Sequence, residues 1–145
     1  MEQVLREIMT PNVEVIRPNA LIQDAAAAMR THRVGALPVC EGARLVGIVT
    51  DRDITIRATA AGADPRTTRV RDVMTQDVAY CFDGESIHEA ARLMKERQIR
   101  RLPILNREQR LVGIVALGDL AVDTGAAAMS GHVLEQVSEQ AKPQR

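Results

Sequence analysis

Arg44-Leu45-Val46-Gly47-Ile48-Val49 returns 66 residues later as Arg110-Leu111-Val112-Gly113-Ile114-Val115, and the acid that follows, Asp53, returns as Asp119. Toward the N-terminus the same match continues at an offset of 65, where Arg6, Met9, Thr10, Val13, Ala25, Ala26, Met29, Leu37 and Pro38 become Arg71, Met74, Thr75, Val78, Ala90, Ala91, Met94, Leu102 and Pro103. One residue inserted in a turn explains the step between the two offsets. Two copies fall short of the ~3 stacked units that a solenoid needs to bury its faces. The sequence therefore predicts a pair of motifs related by a pseudo-twofold axis and sharing one core.

Each copy reads as strand, helix, strand, strand, helix, an α/β (α+β) fold of two β-α-β-β-α motifs. Ile22, Ala25, Ala26 and Met29 fall at helical spacing over 21–32, as do Ile87, Ala90, Ala91 and Met94 in the second copy. Ser86 with Glu89 forms a capping box ahead of the second helix, and Leu21 stands where the first copy would need its cap. Ala36 to Cys40 and Arg44 to Thr50 are apolar runs around a turn containing Gly42, a hairpin signal repeated by Arg101 to Leu105 and Arg110 to Val115. Gly62, Asp64 and Pro65 mark a linker. The expected organisation is motif one over 1–62, motif two over 63–122, and a tail over 123–145 that Met129, Val133, Leu134 and Val137 make partly helical.

Charge and composition exclude several classes of partner. Lys and Arg number 19, as do Asp and Glu, so there is no bulk electrostatic grip for DNA or anionic lipid. Tyr80 and Phe82 are the only aromatics, too few for stacking single-stranded nucleic acid. The longest purely apolar run, Ala25 to Met29, is far below the roughly 20 residues of a membrane span. A cytoplasmic protein without nucleic-acid or membrane partners is the expectation.

The chemistry that the sequence offers sits just after each repeated strand. A strand ending at Thr50 and turning into a helix aims unpaired backbone amides at an anion. The Asp53 carboxylate can accept hydrogen bonds from two adjacent ribose hydroxyls, and Thr50 adds a hydroxyl. The same Thr50-x-x-Asp53 spacing is also a capping box. In the second copy Ala116 replaces the threonine while Asp119 persists. Arg100 and Arg101 precede Leu102-Pro103, where the first copy has Gly35 and Ala36.

These residues, namely the paired Met-Thr, Ala-Ala-x-x-Met, Leu-Pro-Val/Ile and Leu-Val-Gly-Ile-Val segments each followed by an aspartate, resemble a cystathionine β-synthase (CBS) domain pair, or Bateman module, over residues 4–121. The resemblance is narrower to short stand-alone members. It implies two small sheets packed face to face with helices outside, and two clefts that take AMP, ADP, ATP or S-adenosylmethionine. By resemblance the first site comprises Thr10, Val13, Ala36 and Pro38 as adenine walls, Thr50 and Asp53 for ribose and phosphate, and Arg100 and Arg101 for phosphate. The second, weaker site comprises Thr75, Val78, Pro103 and Asp119. A homodimer through the outer helices, an adenine nucleotide as regulatory ligand rather than cofactor, a role in energy sensing or stress response, and signalling to a separate protein partner follow as expectations.

No catalytic elbow, P-loop or dinucleotide fingerprint occurs, so no enzyme is expected. His32, His88 and His132 are dispersed without metal-ligand spacing and read as surface residues, while Cys40 and Cys81 read as small core residues. No metal site is expected. The competing function is a ligand-free interaction scaffold in which the Thr50 and Asp53 pair only caps a helix.

Overall fold

The computed structural model describes residues 3–124. The elements are β1 (Thr10–Pro11), α1 (Ile22–His32), β2 (Ala36–Glu41), β3 (Arg44–Thr50), α2 (Asp51–Asp53) continued by a π-helical segment (Ile54–Thr59), β4 (Cys81–Phe82), α3 (Ile87–Arg97), β5 (Arg101–Leu105), β6 (Leu111–Ala116) and α4 (Leu117–Thr124), with 3₁₀ turns at Leu5–Glu7 and Val70–Asp72. The α/β class and the repeated order are those expected from the sequence. The helical tail, with Met129, Val133, Leu134 and Val137, and His132 lie outside the described residues.

The chain divides into two compact units. One is Glu14–Val78; the other joins the described residues up to Val13 to those from Ala79 onward. These units are not the two sequence motifs, because the motifs exchange segments. Thr10 of the first copy pairs with Ile114 of the second, and Pro11 with Gly113. In the mirror arrangement Thr75 of the second copy pairs with Ile48 of the first. Each Met-Thr segment thus completes the other copy's hairpin.

In the unit Glu14–Val78, β2 and β3 are antiparallel from Ala36 opposite Thr50 to Glu41 opposite Arg44, with Ile16 parallel beside Val39. One face of α1 buries Ile22, Ala25 and Met29 against Leu37, Val39, Val49, Ala58, Val70 and Val73. Ala26, expected on that stripe, is exposed, whereas its counterpart Ala91 is buried. The missing cap at Leu21 is made good from the linker, because Thr68 and Pro65 carbonyls accept the amides of Ile22 (3.0 Å) and Gln23 (3.2 Å). Orphan amides of a first helical turn must find such acceptors.

In the other unit, a four-stranded sheet runs in the order β1, β6, β5, β4, with β4 parallel to β5 and the other pairs antiparallel. Ile87, Ala90, Ala91 and Met94 of α3 pack on Leu102, Ile104, Val115, Leu117 and Leu120. Half of the expected box opens α3. Ser86 Oγ accepts from Glu89 N at 3.3 Å, but the Glu89 carboxylate is drawn outward to Arg92 (2.9 Å) instead of reaching back. We expect Ser86→Ala to cost about 1 kcal/mol in urea unfolding. A cost below a few tenths would show that the Gln3 carbonyl, which accepts from Ile87 N, suffices alone.

Candidate functional site

The repeated strand β3 delivers Thr50 to the sheet end, where α2 begins. There the capping box is complete: Thr50 Oγ1 accepts from Asp53 N at 3.0 Å, and Asp53 Oδ2 accepts from Thr50 N at 3.0 Å. Asp53 is 9% exposed, the one charged residue in the buried class among those described. Its second oxygen, Oδ1, has no hydrogen bond to another described residue; the nearest charge is Arg57 Nε at 3.8 Å. A carboxylate oxygen has two acceptor lone pairs, so the cap uses one side of the group and leaves the other open to a donor pair. Cap and ligand site are chemically compatible.

Along the strand that leads to this carboxylate stand Ala36, opposite Thr50 in register, Pro38, opposite Ile48, and Thr75, hydrogen-bonded to Ile48 through both backbone groups at 2.8 and 2.9 Å. Val78 belongs to the same unit and is partly buried. Gly35 closes the back of the turn. Its carbonyl accepts from Asp51 N at 2.9 Å, and a Cβ at Gly35 would stand 3.1 Å from Asp51 Oδ2.

The counterpart in the other unit is built alike. Asp119 Oδ2 accepts from Ala116 N at 2.8 Å, so this acid caps its helix even though alanine has replaced the threonine. Persistence of the acid is therefore not a sign of ligand binding by itself, contrary to what the loss of the threonine suggests. Arg101 stands opposite Ala116, the Arg100 carbonyl accepts from Leu117 N, and Pro103 and Thr10 both face Ile114 in register. Val13 lies in this unit too. Both arginines are exposed, and neither pairs with a carboxylate among the described residues. A grouping by copy places Thr10 with Thr50 and Thr75 with Asp119; the exchanged segments place Thr75 on the Thr50 strand and Thr10 on the Asp119 strand.

Arg57 is the residue that the motif reading missed. It lies four positions after Asp53, a visible helical spacing, but its other contacts are to carbonyls of Val73 and Met74, which only the fold brings near.

Among the described residues the remaining candidates, two cysteines and two histidines, stand apart from this site. Cys40 and Cys81 are buried free thiols. Burial pushes the Cys40 thiol up, and burial together with the Glu85 and Glu89 carboxylates pushes Cys81 up to about 12, so both stay protonated and unreactive near neutral pH. His32 is exposed and 3.5 Å from Glu14, and His88 is exposed. Among the described residues no group of three or more His, Cys, Asp or Glu is placed to hold a metal, and no helix is long and apolar enough to cross a membrane.

A family model described as the CBS domain matches residues 5–58 and 70–122. The chain belongs to the CBS domain family. The CBS domain-containing protein YhcV of Bacillus subtilis (strain 168) is 44% identical over 136 residues, spanning 94% of this chain and 96% of its own. Hypoxic response protein 1 of Mycobacterium tuberculosis is 41% identical over 117 residues, 80% of this chain and 81% of its own. A crystal structure of hypoxic response protein I with two coordinated zinc ions matches with a TM-score of 0.77 at 38% identity, over 83% of this chain and 98% of the other. Two further CBS structures hold adenosine-type ligands. CBSX2 in complex with AMP matches at TM-score 0.70 and 28% identity, covering 89% of this chain and 98% of its own. The CBS domain pair of MJ0100 in complex with 5′-methylthioadenosine and S-adenosylmethionine matches at 0.72 and 26%, covering 83% and 94%. The two matched segments make this chain a CBS-pair regulatory module.

Proposed function

We propose that this module binds an adenosine-type ligand, AMP, ADP, ATP or S-adenosylmethionine, at the Thr50 and Asp53 end of β3, and that it signals occupancy through conformation or homodimer assembly to a protein partner in the cytoplasm without catalysing a reaction. The observation that carries the proposal is the Asp53 carboxylate. It is buried, fixed at Oδ2 by Thr50 N, and open at Oδ1, which suits it to take the two adjacent hydroxyls of a ribose. Ala36 lies opposite Thr50, and Pro38 and Thr75 both pair with Ile48 on the same strand. The AMP and S-adenosylmethionine held by CBSX2 and MJ0100 support the ligand class.

The scaffold reading keeps one observation in its favour, since Asp53 and Asp119 both already serve as caps. A ligand that binds only the folded chain separates the two. At one hundred times its dissociation constant it stabilises the chain by about 2.7 kcal/mol, and at about 2–4 °C per kcal/mol for a chain of this size the melting temperature rises by roughly 5–10 °C. Nucleotide-free protein is to be melted with each of the four ligands, and small molecules released by denaturing the purified protein identified by mass spectrometry. Absence of any shift together with absence of a released adenosine compound would leave the scaffold.

A further inference from the structure

Arg57 joins three parts of the unit Glu14–Val78. Its Nε stands 3.8 Å from Asp53 Oδ1. Its Nη1 donates to the carbonyls of Val73 at 3.3 Å and Met74 at 3.2 Å. Those carbonyls belong to the segment leading into Thr75, which pairs with Ile48 on the strand that carries Thr50. The turn bearing Arg57 is the π-helical one, Ile54–Thr59, closed by a bond from Ala60 N to Thr55 O at 2.9 Å. Such i to i+5 turns are rare and recur at functional sites.

The distances divide the labour within the carboxylate. Oδ2 is hydrogen-bonded to Thr50 N, while the 3.8 Å gap between Oδ1 and Nε exceeds hydrogen-bond length. Arg57 therefore orients Oδ1 by charge without occupying its lone pairs, and two backbone carbonyls hold the guanidinium still. In the second copy the matching position is not an arginine. Sixty-six residues on, Asp119 corresponds to Asp53 but Asp123 stands where Arg57 does, a charge of the opposite sign.

We propose that Arg57 is a positioning residue that sets the Asp53 carboxylate for the paired hydroxyls of a ribose, and that it contributes, beside the Thr50 hydroxyl that Ala116 lacks, to making the Asp53 end the stronger of the two sites. The proposal rests on the reading that Asp53 meets a ribose. Arg57 acts through Asp53, so its effect is confined to ligands that present both hydroxyls.

The test uses the full chain, AMP and 2′-deoxy-AMP as calorimetric probes, and the variants Arg57→Gln and Arg57→Lys. Arg57→Gln is expected to weaken AMP about tenfold, because the Asp53 carboxylate is no longer held in place for the hydroxyl pair, and 2′-deoxy-AMP by less than about twofold. Arg57→Lys retains charge without the planar group that faces Asp53 through Nε and both carbonyls through Nη1, and is expected to recover part of the AMP affinity. Equal weakening of the two nucleotides, or no weakening of AMP, overturns the proposal. A readout without ligand keeps the two readings apart. Hydrogen exchange at the Thr50 and Asp53 amides is expected to quicken about fivefold in Arg57→Gln, with Val115 unchanged. Were the unmodified chain to bind neither nucleotide, AMP would fall as the ligand, and the exchange result would still decide whether Arg57 positions Asp53, unchanged rates counting against it.

Discussion

Gly47→Ala should unfold at a clearly lower urea concentration than the unmodified chain, with a loss toward the top of the roughly 1–3 kcal/mol range for overpacking. A Cβ at this position would stand 2.7 Å from Met74 Sδ and 2.9 Å from the Thr75 carbonyl. The thioether can swing aside. The carbonyl cannot, because it accepts from Ile48 N at 2.9 Å while Thr75 N donates to Ile48 O at 2.8 Å. Alanine would have to push the exchanged segment off the strand and break that pair. Gly113 faces the same obstacle, 2.5 Å from Met9 Sδ and 3.0 Å from the Thr10 carbonyl, so Gly113→Ala should cost a similar amount in its own unit. Glycine in a strand interior commonly marks such close backbone approach. Gly42 supplies the contrast, since its φ is +61° with nothing near its missing Cβ; there alanine pays only for backbone conformation, about 1 kcal/mol. In a Gly47→Ala, Met74→Ala double variant the two losses should add to less than their sum, because one clash is shared. A Gly47→Ala chain within about 0.5 kcal/mol of the original would mean that the segment retreats freely, and the exchange would not be the reason for the glycine.

The same two glycines show where sequence reading stops. The repeat, the hairpins and α3 are legible because periodicity and turn residues repeat at fixed offsets. Which hairpin each Met-Thr segment joins is not, since both segments and both glycine-bearing strands carry the same residues, and a two-residue strand such as Thr10–Pro11 has too little pattern to choose a partner. Leu21 looks like a missing cap until the Thr68 and Pro65 carbonyls arrive from the linker. Ala116 looks like a lost cap until its backbone amide, which every residue but proline owns, is seen donating to Asp119. Arg57 shows its distance from Asp53 in the sequence, but its anchors on Val73 and Met74 lie 16 and 17 residues away and exist only in the fold. What the sequence carried well was residue type and spacing; what it could not carry was backbone acting on backbone.

Asp53 is the position where cap and ligand site can be separated by substitution, and the expected result is a split between stability and binding. Asp53→Ala removes the acceptor for Thr50 N and the partner of Arg57, so it should lose about 0.5–2 kcal/mol of stability as a lost cap. It should also lose adenine nucleotide affinity by about a hundredfold or more, since two hydrogen bonds to a charged acceptor are worth roughly 1.5–3 kcal/mol each. Asp53→Asn keeps the size of the group and one oxygen, which can still accept from Thr50 N. It therefore holds most of the stability yet offers a ribose diol one neutral acceptor where the carboxylate offers a charged pair. Its affinity should fall nearly as far as that of alanine. Asp119→Ala is the control for capping alone: it removes a bond of 2.8 Å to Ala116 N, should cost similar stability, and should leave the stronger calorimetric transition in place. Had the carboxylate only a capping role, Asp53→Ala and Asp119→Ala would lose stability alike and nucleotide affinity not at all. An Asp53→Ala chain that binds AMP, ATP and S-adenosylmethionine as tightly as the original would remove the ribose from the site and leave the cap as the whole function of this residue.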